Sequence, residues 1–217
     1  MHCKNLTLTE GDTVARSRLE PHSSWFESFA SQDDQPREEA AHMLDDLPEQ
    51  VISQEPPITG VTAPDVTDRL PAREIKHTAP VAVVAAHGGA GASSLSRVDP
   101  ELFVDCGTAW PDTTHRQACL VVARSSAHGL YALQTALQQW ASSQTPDVEL
   151  VGAVVIADAP GKLPQPLREM LSVVSGAAPR LWRIPWDPAM RLHSNDEPVE
   201  IKKAHRLVRN LYTLVAP

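Results

Sequence analysis

The residues best placed to do chemistry lie in one short stretch, VAVVAAHGGAGASSLSR, residues 81–97. An apolar run, Val81 to Ala86, ends in His87-Gly88-Gly89-Ala90-Gly91-Ala92-Ser93-Ser94. Glycines have no Cβ, so successive backbone N–H groups can converge on an oxyanion, and a helix opening after them adds positive potential. The chemistry expected of such a turn is phosphate binding. A complete loop of this kind reads G-x-x-x-x-G-K-[ST], with the lysine on the terminal phosphates and the hydroxyl in the magnesium shell. Here Ala86 stands at the first glycine and Ala92 at the lysine, while Ser93 keeps the hydroxyl. Gly88, Gly89, Ala90, Gly91, Ala92, Ser93 and Ser94 are therefore the candidate phosphate-binding residues, with Ser93 the candidate metal ligand. Without the lysine the backbone cradle survives, but the preorganised charge that would stabilise phosphoryl transfer is lost.

Asp105, in ELFVDCGTAWP, is the candidate catalytic carboxylate, because it ends a short strand at the edge where wound sheets bind ligands. The alternative is a turn-forming aspartate before Cys106-Gly107. Arg124 and Lys162 also follow strands, and either could restore positive charge near a phosphate or sit as an exposed loop charge. Asp158-Ala159-Pro160-Gly161 is a competent turn. In PRLWRIPWDP, Trp182 and Trp186 are interleaved with arginines, which suits either stacking on a planar ring or filling the core from the last strand.

Other chemistries find less support. His-Gly-Gly also builds oxyanion holes in esterases, but those need a Gly-x-Ser-x-Gly elbow, which this chain lacks. His77, His115, His128, His193 and His205 are scattered without ligand spacing. Cys3, Cys106 and Cys119 are odd in number and form no Cys-x-x-Cys pair, so packing in a reduced compartment is the expected role of the last two.

The elements that must position the loop follow from hydrophobic pattern. From Pro80 onward short apolar strands alternate with helical stretches, which predicts an α/β fold of three layers around a mainly parallel sheet. Strands are expected at residues 81–86, 102–105, 118–123, 149–157 and 180–184. Helices are expected after the glycine loop, over GLYALQTALQQWASS, over QPLREMLSVVSG, and from Asn195-Asp196-Glu197-Pro198 through Leu214.

The first third differs in composition. Residues 1–79 carry 15 acidic and 7 basic residues, and the remainder carries 12 of each, so all the net charge of −8 lies in that third. Segments such as SQDDQPREEAAHMLDDLPEQ are too polar to offset their ordering entropy, which predicts a mostly disordered acidic arm over 1–77 and a folded domain over 78–217. SSWFESFAS, REEAAHMLDDL and PITGVTAPDVTDRLP are the pieces that could engage a protein partner. The acidic balance gives no direct case for nucleic acid. No apolar window is long enough for a membrane span, and MHCKNLTLTEGD does not read as a secretory signal, so a cytoplasmic location is expected.

At this point the chain resembles a known family. The segment from His87 to Ser94 is similar to the Lys-Gly-Gly-x-Gly-Lys-Thr loop of ParA- and MinD-type partition ATPases, and LVVARSSAHGLYALQTAL, ELVGAVVIADAPG and PRLWRIPWDPAMRL resemble their later segments. AHGGAGASSL, LVVARSSAHGL, DAPGKLPQPL and LWRIPW together resemble more closely an uncharacterised family of actinobacterial conjugative and plasmid-like elements that lacks the loop lysine. The resemblance implies a degenerate P-loop NTPase-like domain, with ATP and Mg²⁺ as the ligands such a loop would take and a homodimer as one possible state. It implies a weak or non-hydrolysing nucleotide-binding module acting through a partner in element maintenance or transfer. The alternatives are a slow ATPase, with Ser93 on magnesium, Asp105 on water and Arg124, Lys162 or a second subunit as the missing cation, and an adaptor that binds no nucleotide.

Overall fold

The computed structural model describes residues 55–76, 79–188 and 204–215. The core is a five-stranded sheet in which every neighbouring pair runs parallel. Its strands are β2 (Val81–Ala85), β3 (Phe103–Asp105), β5 (Gln117–Arg124), β6 (Val148–Ile156) and β7 (Leu181–Ile184), in the spatial order β3-β2-β5-β6-β7. All five residues of β2 are buried, as are the last seven of β6, which is what near-continuous apolar strands achieve when both faces are covered.

Alternation along the strands divides the core in two. Ala82, Val84, Cys119, Val121, Ala123, Ala153 and Val155 face one side, where they meet α2 (Ala127–Ala141) and α3 (Gln165–Ser175). Val81, Val83, Ala85, Leu120, Val122, Val154 and Ile156 face the other, where they meet α1 (Ala92–Ser96) and α4 (His205–Val215). The result is the expected three-layer α/β arrangement around a parallel sheet. Leu130, Leu133 and Leu137 make the buried stripe of α2, and each fully buried leucine contributes about 1.5–3 kcal/mol of hydrophobic stabilisation.

Packing begins earlier in the chain than composition indicates. The boundary expected at 77/78 assigns residues 55–76 to the arm, yet Ile58, Val61, Leu70 and Ile75 pack against the α2 side of the core. The Ile58 amide donates to the Ala141 carbonyl at 2.8 Å, and β1 (Ala72–Glu74) pairs in parallel with β4 (Trp110–Asp112). Gln139, 3 % exposed, ties this strap down: its amide group donates to the Leu70 and Gln144 carbonyls, and its oxygen accepts from the Leu70 N–H and the Trp110 indole N–H. Isolated apolar residues separated by prolines and polar residues give no periodic signal, so a strap of this kind is invisible to pattern. Within PITGVTAPDVTDRLP, Ile58, Val61 and Leu70 thus dock on the chain's own core, while Val66 is 77 % exposed. SSWFESFAS, REEAAHMLDDL and the helix start at Asn195 to Pro198 lie outside the described residues.

Candidate functional site

The sheet order fixes where a site can form. The chain leaves β2 for α1 on one face and leaves β5 for α2 on the other. These adjacent strands therefore send their connections in opposite directions, and a crevice opens between their carboxyl ends. A cleft of about 350 Å³ lies there, lined by His87, Gly88, Gly89, Arg124, Ser126, His128, Ala157, Asp158, Trp186 and Asp187. That volume is at the small end of the range for ligand pockets, about 300–1,000 Å³.

Hydrogen bonds just beyond the strands hold the rim in register. The Ala86 amide donates to the Val122 carbonyl at 2.9 Å, Ser125 to Ile156 at 3.0 Å, and Ala157 to Ile184 at 2.8 Å. The Asp158 amide donates to the Ser125 hydroxyl at 3.0 Å. Arg124 crosses the opening: its Nε donates to the Gly89 carbonyl at 3.2 Å and its Nη1 to the Ala157 carbonyl at 3.1 Å. The guanidinium is thereby fixed against the glycine loop from the neighbouring strand.

His87 makes the second bridge. Its Nε2 accepts from the Arg124 backbone N–H at 3.2 Å, and its Nδ1 lies 2.8 Å from the Gly88 carbonyl. The ring meets that of His128 edge to face, with centroids 5.2 Å apart. Gly129 makes this approach possible, because a Cβ there would sit 2.2 Å from the Arg124 carbonyl oxygen and 2.9 Å from His87 Nε2. Ser126 caps α2 by accepting the Gly129 N–H at 3.2 Å, so a fifteen-residue helix begins at the cleft and adds positive potential to it.

The candidate residues divide sharply. Gly88 and Gly89 are exposed on the cleft, and among the described residues their amides have no intramolecular acceptor. Ala90 and Ala92 are 1 % and 3 % exposed and belong to the apolar cluster on the α1 face, with Leu95, Phe103 and Ile156. Gly91 caps α1 in the left-handed region, at φ 101°, where an L side chain is strained and an added Cβ would meet Ile156 Cδ1 at 2.8 Å. Ser93 is exposed and Ser94 half-buried, and neither lines the cleft.

Asp105 is exposed at the end of β3, also outside the cleft lining, and its Oδ1 accepts the Gly107 N–H at 2.8 Å. This is the turn-forming role that composition offered as its alternative. Lys162 is exposed and outside the lining, whereas Arg124 is part of it. Trp182 packs against the core cluster on the α1 face, and Trp186 lines the cleft. Both described cysteines are buried. Burial, with a smaller push from Asp105, raises the Cys106 thiol to about 11, and burial holds Cys119 well above the usual thiol range.

Sequence reasoning offers Trp186 as a ring-stacking or core residue and does not single out His87, Ser126, His128 or Asp187 as site residues. A simple signal was present: His87, Ser126, Asp158 and Trp186 each stand two residues past a strand end, at Ala85, Arg124, Ile156 and Ile184. A parallel sheet delivers all such positions to one edge. Among the described residues no group of three or more His, Cys, Asp or Glu is arranged to hold a metal ion. No described helix is long and apolar enough to cross a membrane.

Fold and cleft together define a parallel-sheet α/β protein whose one glycine loop opens on the crevice between oppositely wound strands. The chain belongs to a family of unknown function, DUF6668, which matches residues 79–208. Comparison with curated proteins found no match.

Proposed function

We propose that the protein is a nucleotide-binding module of degenerate phosphate-loop type, which binds nucleotide weakly through its phosphates, does not appreciably hydrolyse it, and acts through a protein partner. The single observation that carries this reading is the cleft between β2 and β5, where Gly88 and Gly89 face the Arg124 guanidinium and the start of α2. Exposed glycine amides, a fixed cation and a helix N-terminus are elements that stabilise a bound oxyanion. Trp186, Asp158 and Asp187 on the far side of the lining offer a ring surface and acceptors for the rest of a nucleotide.

Weak turnover follows from what the loop cannot aim at a phosphate. Ala92 stands where a lysine would bring charge and is packed into the core, and Asp105 is engaged in its own turn. The loop residues fit phosphate. For magnesium the fit is missing, since Ser93 lies off the cleft and no group of three or more His, Cys, Asp or Glu among the described residues is placed to hold a metal. A slow ATPase is the second reading, favoured by the contact of Arg124 with Gly89, which puts a cation on the loop from outside it. Action through a partner, as a monomer or a homodimer, in plasmid or conjugative-element maintenance is proposed from the resemblance of AHGGAGASSL, DAPGKLPQPL and LWRIPW.

Isothermal titration of the full chain with ATP, ADP and inorganic phosphate, with and without magnesium, tests the reading. The expected result is binding in the micromolar-to-millimolar range without phosphate release. Turnover abolished by Arg124→Gln supports the slow enzyme, and absence of heat at millimolar ligand supports an adaptor.

A further inference from the structure

We infer that His87 is the positioning residue of this cleft: held as a single tautomer between the Gly88 carbonyl and the Arg124 backbone N–H, it locks the glycine loop to the β5–α2 turn in the shape that receives phosphate. The inference rests on the anion-binding reading of the cleft and adds the residue that sets its geometry.

The tautomer follows from the two contacts. A backbone amide can only donate, so Nε2, 3.2 Å from the Arg124 nitrogen, is the unprotonated acceptor. The proton of the neutral ring then sits on Nδ1 and is donated to the Gly88 carbonyl at 2.8 Å. One side chain thus holds a carbonyl of the loop and an amide of the adjacent strand end. The Gly88 carbonyl is turned onto the ring, so the Gly88–Gly89 peptide is fixed and the Gly89 N–H is set by it.

The same residue reaches the cation indirectly. Fixing the Arg124 main chain places the origin of the side chain whose Nε bonds the Gly89 carbonyl. His87 and Arg124 therefore form a closed ring of contacts, from Gly88 through the imidazole to Arg124 and back to Gly89. Gly129 leaves the space the imidazole occupies, and His128 from α2 packs on its edge. The groups facing the ring are thus Arg124 from β5, His128 and Gly129 from α2, and Gly88 of its own loop. With both nitrogens engaged inside the protein, His87 touches the ligand through the peptides it holds, which makes it a positioning residue.

The test uses the full chain and three variants, titrated with inorganic phosphate and with ATP. Gln places an oxygen near the Nε2 position and can still accept from Arg124, whereas Asn replaces only the Nδ1 contact. His87→Ala, which loses both contacts, is expected to weaken phosphate binding by about tenfold, and His87→Asn and His87→Gln, which each keep one of them, by about threefold. Thermal melts show that the variants are folded. Long-range ¹H–¹⁵N spectra of the wild-type imidazoles supply a readout that needs no variant: His87 is expected to show a protonated Nδ1 and an unprotonated Nε2. An Nε2-protonated ring overturns the inference, as does equal affinity of wild type and His87→Ala at unchanged melting temperature, which leaves the anion cleft itself standing. Failure of the wild type to bind any of these anions overturns the cleft reading and the role together, even if the Nδ1-protonated ring is found.

Discussion

The two halves of the glycine loop have opposite surroundings. His87, Gly88 and Gly89 line the cleft, with the two glycines exposed, whereas Ala90, Ala92, Leu95 and Ser96 are buried against the sheet. In a lysine-bearing loop the second half carries the charge and the hydroxyl. Here that half is used for packing, and the polar partners of the first half come from across the switch point, from Arg124, Ser126 and His128. Loop shape and loop chemistry are thus separable: the turn persists because Gly91 and the two alanines fit the core, and the anion site, as proposed, depends on what the next strand brings to the glycines.

The largest effect expected from breaking this contrast is at Ala92. If the second half is core, Ala92→Lys buries a charge among apolar side chains and destabilises the fold by about 3–5 kcal/mol in urea unfolding, with no gain in nucleotide affinity. A folded variant that binds ATP more tightly would return the second half to the site. Next is Gly129. Alanine in a helix interior is normally favoured over glycine by about 1 kcal/mol. Gly129→Ala should instead cost about 2–3 kcal/mol and weaken phosphate binding, because its Cβ would press on the Arg124 carbonyl and on His87.

These two positions also show what could be read from the sequence. The five core strands, the glycine loop and helices α2 and α3 were legible because buried parallel strands and amphipathic helices repeat a local period. Strands β1 and β4 were not, since Ala72–Glu74 is exposed throughout and Trp110–Asp112 contains Pro111; each is defined by its partner and not by its own pattern. In the site, the glycines were legible and the convergence on them was not. His87 looked like a missing lysine and His128 like an isolated histidine, and only the strand order places both beside Arg124. Ala92 stands at the lysine position of the loop pattern, and its burial makes it a small core residue.

A third test probes the sheet under both halves. The folded state holds the Cys106 proton more tightly than the unfolded chain, with the thiol raised to about 11. The resulting stability is complete below the unfolded thiol pKa of about 8.5 and is lost as pH rises toward 11. Urea midpoints should fall across that interval, and less steeply in Cys106→Ala. A flat profile would mean that the thiol is not desolvated. The smallest effect is expected at Ser93. Ser93→Ala should change phosphate or ATP affinity by less than about twofold, because the hydroxyl is exposed and off the cleft. A drop of tenfold or more, seen only with magnesium present, would make Ser93 a metal ligand after all.

The central claim, that the anion seat belongs to the first half of the loop and the β5–α2 turn, is tested most directly by following backbone amide resonances while inorganic phosphate or ATP is added. The account predicts saturable shifts at Gly88 and Gly89 and at the Arg124 side-chain Nε–H, with Ala92, Ser93 and Ser94 nearly still. Shifts centred on Ala92 to Ser94, or none at millimolar ligand, would contradict it.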